Sequence, residues 1–251
     1  MAIARSPLSL WLDHASIVVP NVRQAVQELE SRLGLRANLT PADPARHSRV
    51  HLDRSYLEIA AQGDASGWSI PRFFLRFGDL SALRRHLEAA GLPCRISEYA
   101  GVDGRWDDVE VDAGPVPMPI LVRRTHPPEI AQDWPPPMRT AHPCGARSLD
   151  AVHVTVPNLA AAVRAYARLT GIESVSTSAE RDTPRAEFRL AAGRIVLIEG
   201  ADPGVSAIVL GVASLAEAAK VVALCDDAPV AWVDRVVTHG ARIGFTERRT
   251  A

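Results

Sequence analysis

The chain contains one pattern twice, and this internal repeat constrains the fold more than any other feature of the sequence. Residues 12–34 read LDHASIVVPNVRQAVQELESRLG, and residues 149–171 read LDAVHVTVPNLAAAVRAYARLTG. The two segments coincide at a constant offset of 137 positions, and both end on a glycine, Gly34 and Gly171. Such self-similarity predicts that one supersecondary unit occurs more than once in the fold.

The first copy has the pattern of a strand, a turn, a helix and a stop. The apolar, β-branched run Ser16–Val19 suits a buried strand, and Pro20 ends it because proline cannot donate a ladder hydrogen bond. Asn21 can cap a helix by accepting from an unpaired backbone N–H, and Gly34 stands where a left-handed C-cap is expected. Between these two residues, apolar side chains at helical spacing predict one buried helix face: Val22, Ala25, Val26, Leu29 and Leu33.

Two weaker copies occur in residues 71–91 and 205–225, with helix caps predicted at Asp79 and Ser214. After each helix, further apolar runs predict more strands, including residues 230–237 in the last copy. Sequential strands around single helices indicate an α+β fold. We therefore expect four tandem βαβββ modules in two pairs, whose curled mixed sheets enclose a cleft.

A proline-rich segment separates the two halves of this pattern. Residues 126–147 read HPPEIAQDWPPPMRTAHPCGAR and contain six prolines without periodicity, which is typical of an extended linker. The predicted domains are therefore residues 1–125 and 148–251, with two modules in each. His126 and His142 lie in this linker, where we expect both to be solvated.

Composition excludes several classes of function. A net charge of −1 argues against a non-specific nucleic-acid surface, and an aromatic content of 5% argues against stacking on single strands. No apolar run is long enough to span a bilayer, and three widely spaced cysteines suit a reducing compartment. We expect a cytoplasmic monomer or homodimer whose partner is a small molecule, not a nucleic acid or a membrane.

Polar and apolar side chains alternate in the strand predicted at residues 47–53, HSRVHLD, where His47, Arg49 and His51 share one face. Two interpretations of this face are open. It is a solvated edge, or it lines the cleft. In the second case Arg49 would clamp an anionic substrate, and His51 would act as a metal ligand or a proton shuttle.

The next predicted strand is YLEIAA, residues 56–61, in which Glu58 lies between Leu57 and Ile59. A carboxylate in an apolar strand is rarely buried without a partner. Glu58 is therefore expected to bind a metal, act as a base or pair with an arginine. Tyr56 is in phase with Glu58 and either donates to a substrate oxygen or packs in the core.

The segments LDHASIVVPN, SYLEIA, PRFFLRF and HPCGARSLDAVHVTVPNL follow one another in this chain. Together they resemble the glyoxalase-like domain family of the vicinal oxygen chelate superfamily, over residues 10–200. The superfamily includes isomerases, epimerases, ring-cleaving dioxygenases, thiol transferases and metal-free drug-binding proteins. Fold alone does not choose among these activities.

In the metal-using members of this superfamily, a histidine in the first strand and a glutamate in the last strand of one module bind a divalent ion. His14 and Glu58 match these two positions. The resemblance implies a divalent metal, and these donor types suit Zn, Fe, Mn, Ni or Co. His51 and His153 are the candidates for further ligands.

The second half departs from this ligand pattern. At the offset of 137, Ala151 takes the position of His14, and His153 lies two residues further along the same strand face. Glu199 is out of phase with the position that matches Glu58, so it would point to the opposite face. Either the second half has lost its ligands, or other groups complete the site.

Two functions follow from the resemblance. The first is a divalent-metal-dependent enzyme of the lyase, isomerase, epimerase or dioxygenase type, acting on a small oxygen-rich molecule, with Glu58 able to move a proton. The alternative is a metal-free protein that binds and sequesters a small molecule, as in bleomycin resistance. Its cleft would be lined by aromatic residues: Trp68, Phe73, Phe74 and Trp106.

Overall fold

The computed structural model describes residues 8–39, 45–101, 104–125, 141–173, 175–180, 183–225 and 229–248. The helices within these residues are α1 (Val22–Leu33), α2 (Leu80–Ala89), α3 (Leu159–Thr170) and α4 (Leu215–Ala218). The strands of the first half are β1 (Trp11–Val19), β2 (Asn38–Leu39), β3 (His47–His51), β4 (Tyr56–Ala61), β5 (Ser69–Arg76), β6 (Cys94–Gly101), β7 (Gly104–Val111) and β8 (Ile120–Thr125). Those of the second half are β9 (Ala146–Val156), β10 (Ser176–Glu180), β11 (Thr183–Arg189), β12 (Arg194–Glu199), β13 (Gly204–Val212), β14 (Leu224–Cys225), β15 (Ala231–Val233) and β16 (Ile243–Glu247).

These strands form two eight-stranded sheets. The strand order of the first sheet is β2-β3-β4-β1-β5-β8-β7-β6, and that of the second is β10-β11-β12-β9-β13-β16-β15-β14. Both sheets are mixed, since β1 runs parallel to β4 and β13 to β16, whereas β3 is antiparallel to β4 and β11 to β12. Within the described strands, neither sheet closes into a barrel.

The second sheet repeats the strand order of the first, with every strand number raised by eight. Each sheet therefore contains two βαβββ modules. Module 1 comprises β1, α1 and β2–β4, and module 2 comprises β5, α2 and β6–β8. Module 3 comprises β9, α3 and β10–β12, and module 4 comprises β13, α4 and β14–β16. The predicted α+β fold of four tandem modules in two pairs is confirmed.

Local chemistry explains where the repeated helices begin and end. The side chain of Asn21 accepts from a backbone N–H of the first turn at 3.0 Å, and that of Asn158 does the same at 2.8 Å. Both helices end on a left-handed glycine, Gly34 with φ 60° and Gly171 with φ 67°. The repeat thus encodes a cap, a helix and a stop with the same residue types.

Module 4 keeps its predicted cap, Ser214, but the helix that follows spans only Leu215–Ala218. The strand expected at residues 230–237 is wrong beyond Val233. Asp234 accepts from the backbone N–H of Val236 through its side chain at 2.9 Å, which turns the chain. An aspartate that bonds the backbone two residues later favours a turn over a strand.

The described residues group into two compact units. One draws on the chain up to residue 13, on 72–136 and on 153–205, and the other on 14–71, 137–152 and 206–251. Each sheet follows one half of the sequence, whereas each compact unit draws on both halves. The division into domains at 1–125 and 148–251 therefore stays a prediction, and residues 126–140 of the predicted linker lie outside the described residues.

The core of module 1 determines which face of its sheet is left for polar groups. Helix α1 packs on β3 and β4, and its buried residues are Val22, Ala25, Leu29 and Leu33. Ile17, Leu57 and Ile59 are fully buried on alternate positions of β1 and β4. Since successive side chains of a strand point to opposite faces, the intervening positions form the second face of this sheet.

Candidate functional site

The parallel register of β1 and β4 brings four polar side chains, three of them predicted site residues, to one sheet face. His14 lies opposite Tyr56, and Ser16 lies opposite Glu58. Residues two apart on a strand share a face. His14 and Glu58 are therefore on the same face of neighbouring strands, but one pleat out of register, a spacing of about 7 Å along the strand.

The antiparallel register of β3 and β4 extends this face by three more positions. Arg49 lies opposite Glu58, His51 opposite Tyr56, and His47 opposite Ala60. We call this surface the module 1 face, and it consists of His14, Ser16, His47, Arg49, His51, Tyr56 and Glu58. The structure thus brings six of the seven predicted site residues to one face, all except His153.

Burial changes across the module 1 face from one strand to the next. On β1, His14 is 4% exposed and Ser16 is 3% exposed. Glu58, Arg49 and His51 are half-buried, and His47 at the end of β3 is exposed. The face is therefore dry at β1 and open to solvent at β3.

Glu58 has a hydrogen-bond partner that the sequence analysis missed. The hydroxyl of Ser16 donates to the Glu58 carboxylate at 2.6 Å, and this bond holds the carboxylate at the centre of the face. The signal that could have revealed Ser16 is its alternation with His14, which predicts a common face. A hydroxyl in phase with a candidate ligand is easily taken for an ordinary strand residue.

The ring of Tyr56 is packed on several sides by polar groups. The His14 ring stacks on it with 4.3 Å between centroids and 11° between planes. The Arg49 guanidinium lies 5.3 Å from the centre of the phenol ring, and the His51 ring lies 6.0 Å away. Because β4 lies between β1 and β3, Tyr56 occupies the position between the two histidines.

These positions do not fit the predicted metal centre. Among the described residues, no three His, Cys, Asp or Glu side chains are grouped so that they could hold an ion. Tyr56, not Glu58, stands opposite both His14 and His51. The Glu58 carboxylate is one pleat further along and accepts from Ser16. Within module 1, His14, His51 and Glu58 are therefore not grouped as a three-ligand site, and the role of His153 stays a prediction.

His153 belongs to β9 in the second sheet and is 8% exposed. Gly200 donates its backbone N–H to the carbonyl of Val156 in module 3, as Gln62 does to Val19 in module 1. These two bonds are equivalent, so Val156 corresponds to Val19. His153, three residues before Val156, therefore occupies the position that Ser16 occupies in β1. Gly200 likewise corresponds to Gln62, so Val196 occupies the position of Glu58. Glu199 is exposed at the end of β12.

The expectation that His142 is solvated is wrong, since its side chain is 7% exposed. Its Nδ1 accepts from the backbone N–H of Arg36 at 3.0 Å, and its Nε2 donates to the carbonyl of His51 at 2.7 Å. Burial lowers the pKa of His142, because desolvation penalises the imidazolium form. The neutral ring thus anchors the strand end that carries His51.

Within the described part of the chain, His86 and His239 bond to neighbouring segments of the fold. His86 on α2 donates to the carbonyl of Arg168 at 2.8 Å, and His239 in a turn contacts the Glu28 carboxylate at 2.6 Å. The aromatic residues suggested as a cleft lining are all buried: Trp68, Phe73, Phe74 and Trp106. Trp106 also lines a pocket together with Tyr99, Asp107 and Arg123, so a cleft lined by aromatic side chains stays a prediction.

A family model for the glyoxalase-like domain matches residues 12–170, which is more than half of the chain. The chain therefore belongs to the glyoxalase-like domain family, within the vicinal oxygen chelate superfamily. This confirms the family that the sequence resemblance implied. A search of curated proteins finds no match.

Solved structures share the fold at low sequence identity. A hypothetical protein from Staphylococcus aureus is 10% identical, with a TM-score of 0.64 over 95% of this chain and 100% of that one. An extradiol ring-cleaving dioxygenase from B. fuscum is 12% identical, with a TM-score of 0.65 over 97% and 73%. The Mn(II)-bound glyoxalase from Novosphingobium aromaticivorans is 12% identical, with a TM-score of 0.65 over 97% and 82%. Within the described residues, no helix is long and apolar enough to cross a membrane.

Proposed function

We propose that the module 1 face binds a small oxygen-rich molecule through hydrogen bonds and ring contacts, without a metal centre of three or more protein ligands. The observation that carries this proposal is the hydrogen bond from Ser16 to Glu58 at 2.6 Å, opposite Arg49. A carboxylate held by a hydroxyl and facing a guanidinium is arranged to accept from ligand hydroxyl groups.

Each side chain has a role that its position supports. Glu58 would accept a hydrogen bond or a proton from a ligand hydroxyl, and Arg49 would donate to a ligand oxygen. His47 and His51, at the open end of the face, would donate to or accept from the same molecule. Tyr56 and His14 form a buried ring stack that closes the dry end of the site.

A vicinal diol is a suitable probe, and catechol provides two adjacent hydroxyl groups on one ring. Titration calorimetry should detect saturable catechol binding, weakened about tenfold by Glu58→Gln, because a hydrogen bond to a charged group is lost. Glu199→Gln is the matched control, since this exposed carboxylate ends the equivalent strand of module 3. Absence of saturable binding, or equal loss in both variants, would overturn the proposal.

A divalent-metal-dependent enzyme, of the lyase, isomerase or dioxygenase type, is the second candidate. One observation favours it: His14 and Glu58 share a face of neighbouring strands. Elemental analysis of protein purified without chelator separates the two candidates. One divalent ion per chain, lost in both His14→Ala and Glu58→Ala, would favour the enzyme. Metal-free protein with no gain in melting temperature on adding Zn, Mn, Ni or Fe(II) would favour the binding protein.

A further inference from the structure

A pocket of about 350 Å³ lies at the outer edge of the first sheet, on strands β6, β7 and β8 of module 2. Four charged side chains contribute to its lining: Glu98, Arg105, Asp107 and Arg123. Glu98 lies opposite Asp107, and Asp107 lies opposite Arg123. Arg105 is two residues before Asp107, so all four positions share one face of the sheet. We call this site the module 2 pocket, and its volume is within the range of small-molecule sites.

Two carboxylates face each other in this pocket. Glu98 and Asp107 are direct cross-strand partners, a placement of like charges that costs stability. Arg123 neutralises Asp107, because its Nε and its Nη2 each lie 2.6 Å from Oδ2 of that residue. Arg123 stands on β8, however, with β7 between it and Glu98. A bound cation therefore gains most at the Glu98 end of this row.

The Asp107 carboxylate combines burial with a second oxygen that Arg123 does not contact. The residue is 8% exposed, and both contacts from Arg123 go to Oδ2. Oδ1 can therefore accept from a ligand while Oδ2 keeps its bonds to the guanidinium. A buried carboxylate attracts a cation more strongly than an exposed one, because water screens it less. An ammonium group, with its three N–H donors, suits the space between Oδ1 of Asp107 and the Glu98 carboxylate.

Arg105 provides a positive charge at the other end of the pocket. One pleat of β7, about 7 Å, separates its position from that of Asp107 on the shared face. The residue is exposed, and its five N–H donors can bind a carboxylate in addition to the contact that it already makes. Since Asp107 and Arg123 neutralise each other, the pocket keeps a negative end at Glu98 and a positive end at Arg105.

An aromatic stack fixes the three strands that carry these charges. Tyr99 and Trp106 are cross-strand partners, and their rings stack with 6.2 Å between centroids and 7° between planes. The Arg124 guanidinium on β8 lies 4.6 Å from the centre of the Trp106 ring. Such contacts stabilise the pairing of β6, β7 and β8. A fixed strand spacing lowers the entropic cost of holding both ends of a ligand.

From this arrangement we infer that the module 2 pocket binds a small zwitterion, a short amino acid with separated ammonium and carboxylate ends. The ammonium group lies between Glu98 and Oδ1 of Asp107, and the carboxylate contacts Arg105. Arg123 is a positioning residue, because it holds the Asp107 carboxylate through Oδ2. The pocket uses strands other than those of the proposed diol site, so the two proposals stand or fall separately.

The probe is 4-aminobutanoate, in which a few carbons separate the two charges. Calorimetric titration at constant ionic strength should show saturable binding, weakened at least about tenfold by Glu98→Gln or by Arg105→Gln. Both residues are exposed, so both variants should fold as the wild type does. Glu110→Gln and Arg95→Gln are the matched controls, since these residues form an exposed ion pair at 2.7 Å on the same two strands. Butylamine and butanoate each keep one charge and should each bind at least about tenfold more weakly.

Arg123→Gln gives a result that a merely structural role would not produce. Without the guanidinium, Asp107 and Glu98 both lack a cation, so butylamine should bind more tightly than to the wild type and should raise the melting temperature more. Weaker butylamine binding in this variant would contradict the assigned role of Arg123. The inference is overturned if 4-aminobutanoate does not bind saturably, or if Glu110→Gln weakens binding as much as Glu98→Gln. It is also overturned if butylamine binds the wild type as tightly as 4-aminobutanoate, because the positive end would then play no part.

Discussion

Modules 1 and 3 share one backbone pattern, but the polar residues on their equivalent sheet faces differ in chemistry. In module 1, Tyr56 stands opposite His51, and its ring stacks on that of His14. The equivalent positions in module 3 hold Arg194 opposite Arg189. One backbone arrangement therefore supports a ring stack in one half of the chain and a pair of like charges in the other.

The carboxylate also changes strand between the two modules. Module 1 carries it as Glu58 on the strand next to β1, opposite Arg49. Module 3 carries it as Glu187 on β11, which lies one strand further from β9, opposite Val196. The Glu58 carboxylate accepts from the Ser16 hydroxyl, whereas the Glu187 carboxylate contacts Arg189 at 2.8 Å and lies 3.7 Å from Arg194. The comparison teaches that duplication preserved the sheet while the polar groups diverged.

The largest expected effect tests whether the two modules share one core. Ile59 and Leu197 occupy equivalent positions, and both are fully buried. Ile59→Ala and Leu197→Ala should each lower the free energy of unfolding by about 2–5 kcal/mol through lost burial and a cavity. Urea denaturation measures this loss, with Val236→Ala as the control because Val236 is 78% exposed. A loss below about 1 kcal/mol in one variant alone would break the equivalence of the modules.

Acid should affect module 1 more than module 3. The pKa of His142 is lower in the folded chain than its ordinary value of 6.5, so the unfolded chain binds the proton first as pH falls. The stability that neutral His142 supplies is complete above this value and is lost below it. Protonation also turns Nδ1 into a donor, which breaks the bond from Arg36.

Hydrogen exchange measures this acid effect locally. Between pH 7.5 and 5.5, amide protection at Arg36 should fall relative to that at Arg189, after correction for intrinsic exchange rates. His142→Phe should cost about 1–3 kcal/mol at pH 7.5, because two backbone groups lose a partner, and should remove the difference between the modules. Equal loss of protection at both residues would contradict the assigned role of His142.

A smaller effect tests the hydroxyl–carboxylate pair that module 3 lacks. Ser16→Ala should lower the free energy of unfolding by about 1 kcal/mol, because the Glu58 carboxylate loses a partner. The same change in a Glu58→Val background, which copies the aliphatic residue of module 3, should cost nothing further. A double-mutant cycle by urea denaturation provides the check, and strict additivity would show that the bond contributes no stability.

The repeated parts of the fold could be predicted because each depends on local chemistry. Asn21, Asn158 and the two stop glycines encode helix ends within a few residues of sequence. The last strands could not be delimited in the same way. Two more valines, Val236 and Val237, follow Asp234 and Arg235, and the turn formed by Asp234 shows that the strand has already ended at Val233.

The sequence predicts which residues share the candidate face, but not which of them stand opposite each other on neighbouring strands. Alternation alone places His51 and Glu58 on one face, whereas the register that sets Tyr56 opposite His14 depends on the turns and on long-range strand pairing. The prediction that His142 is solvated was wrong, because a proline-rich composition is also typical of exposed linkers. Its burial results from two backbone partners that are distant in sequence, Arg36 and His51.

The most direct test of the account is a catechol titration on isotope-labelled protein, with amide chemical shifts followed residue by residue. Catechol should shift resonances around Glu58 and Arg49 and leave those around Arg194 unchanged. This outcome would establish that the duplicated backbone carries the diol site in module 1 and not at the equivalent positions of module 3. Shifts around Arg194 as large as those around Glu58, or no shifts at saturation, would contradict the account.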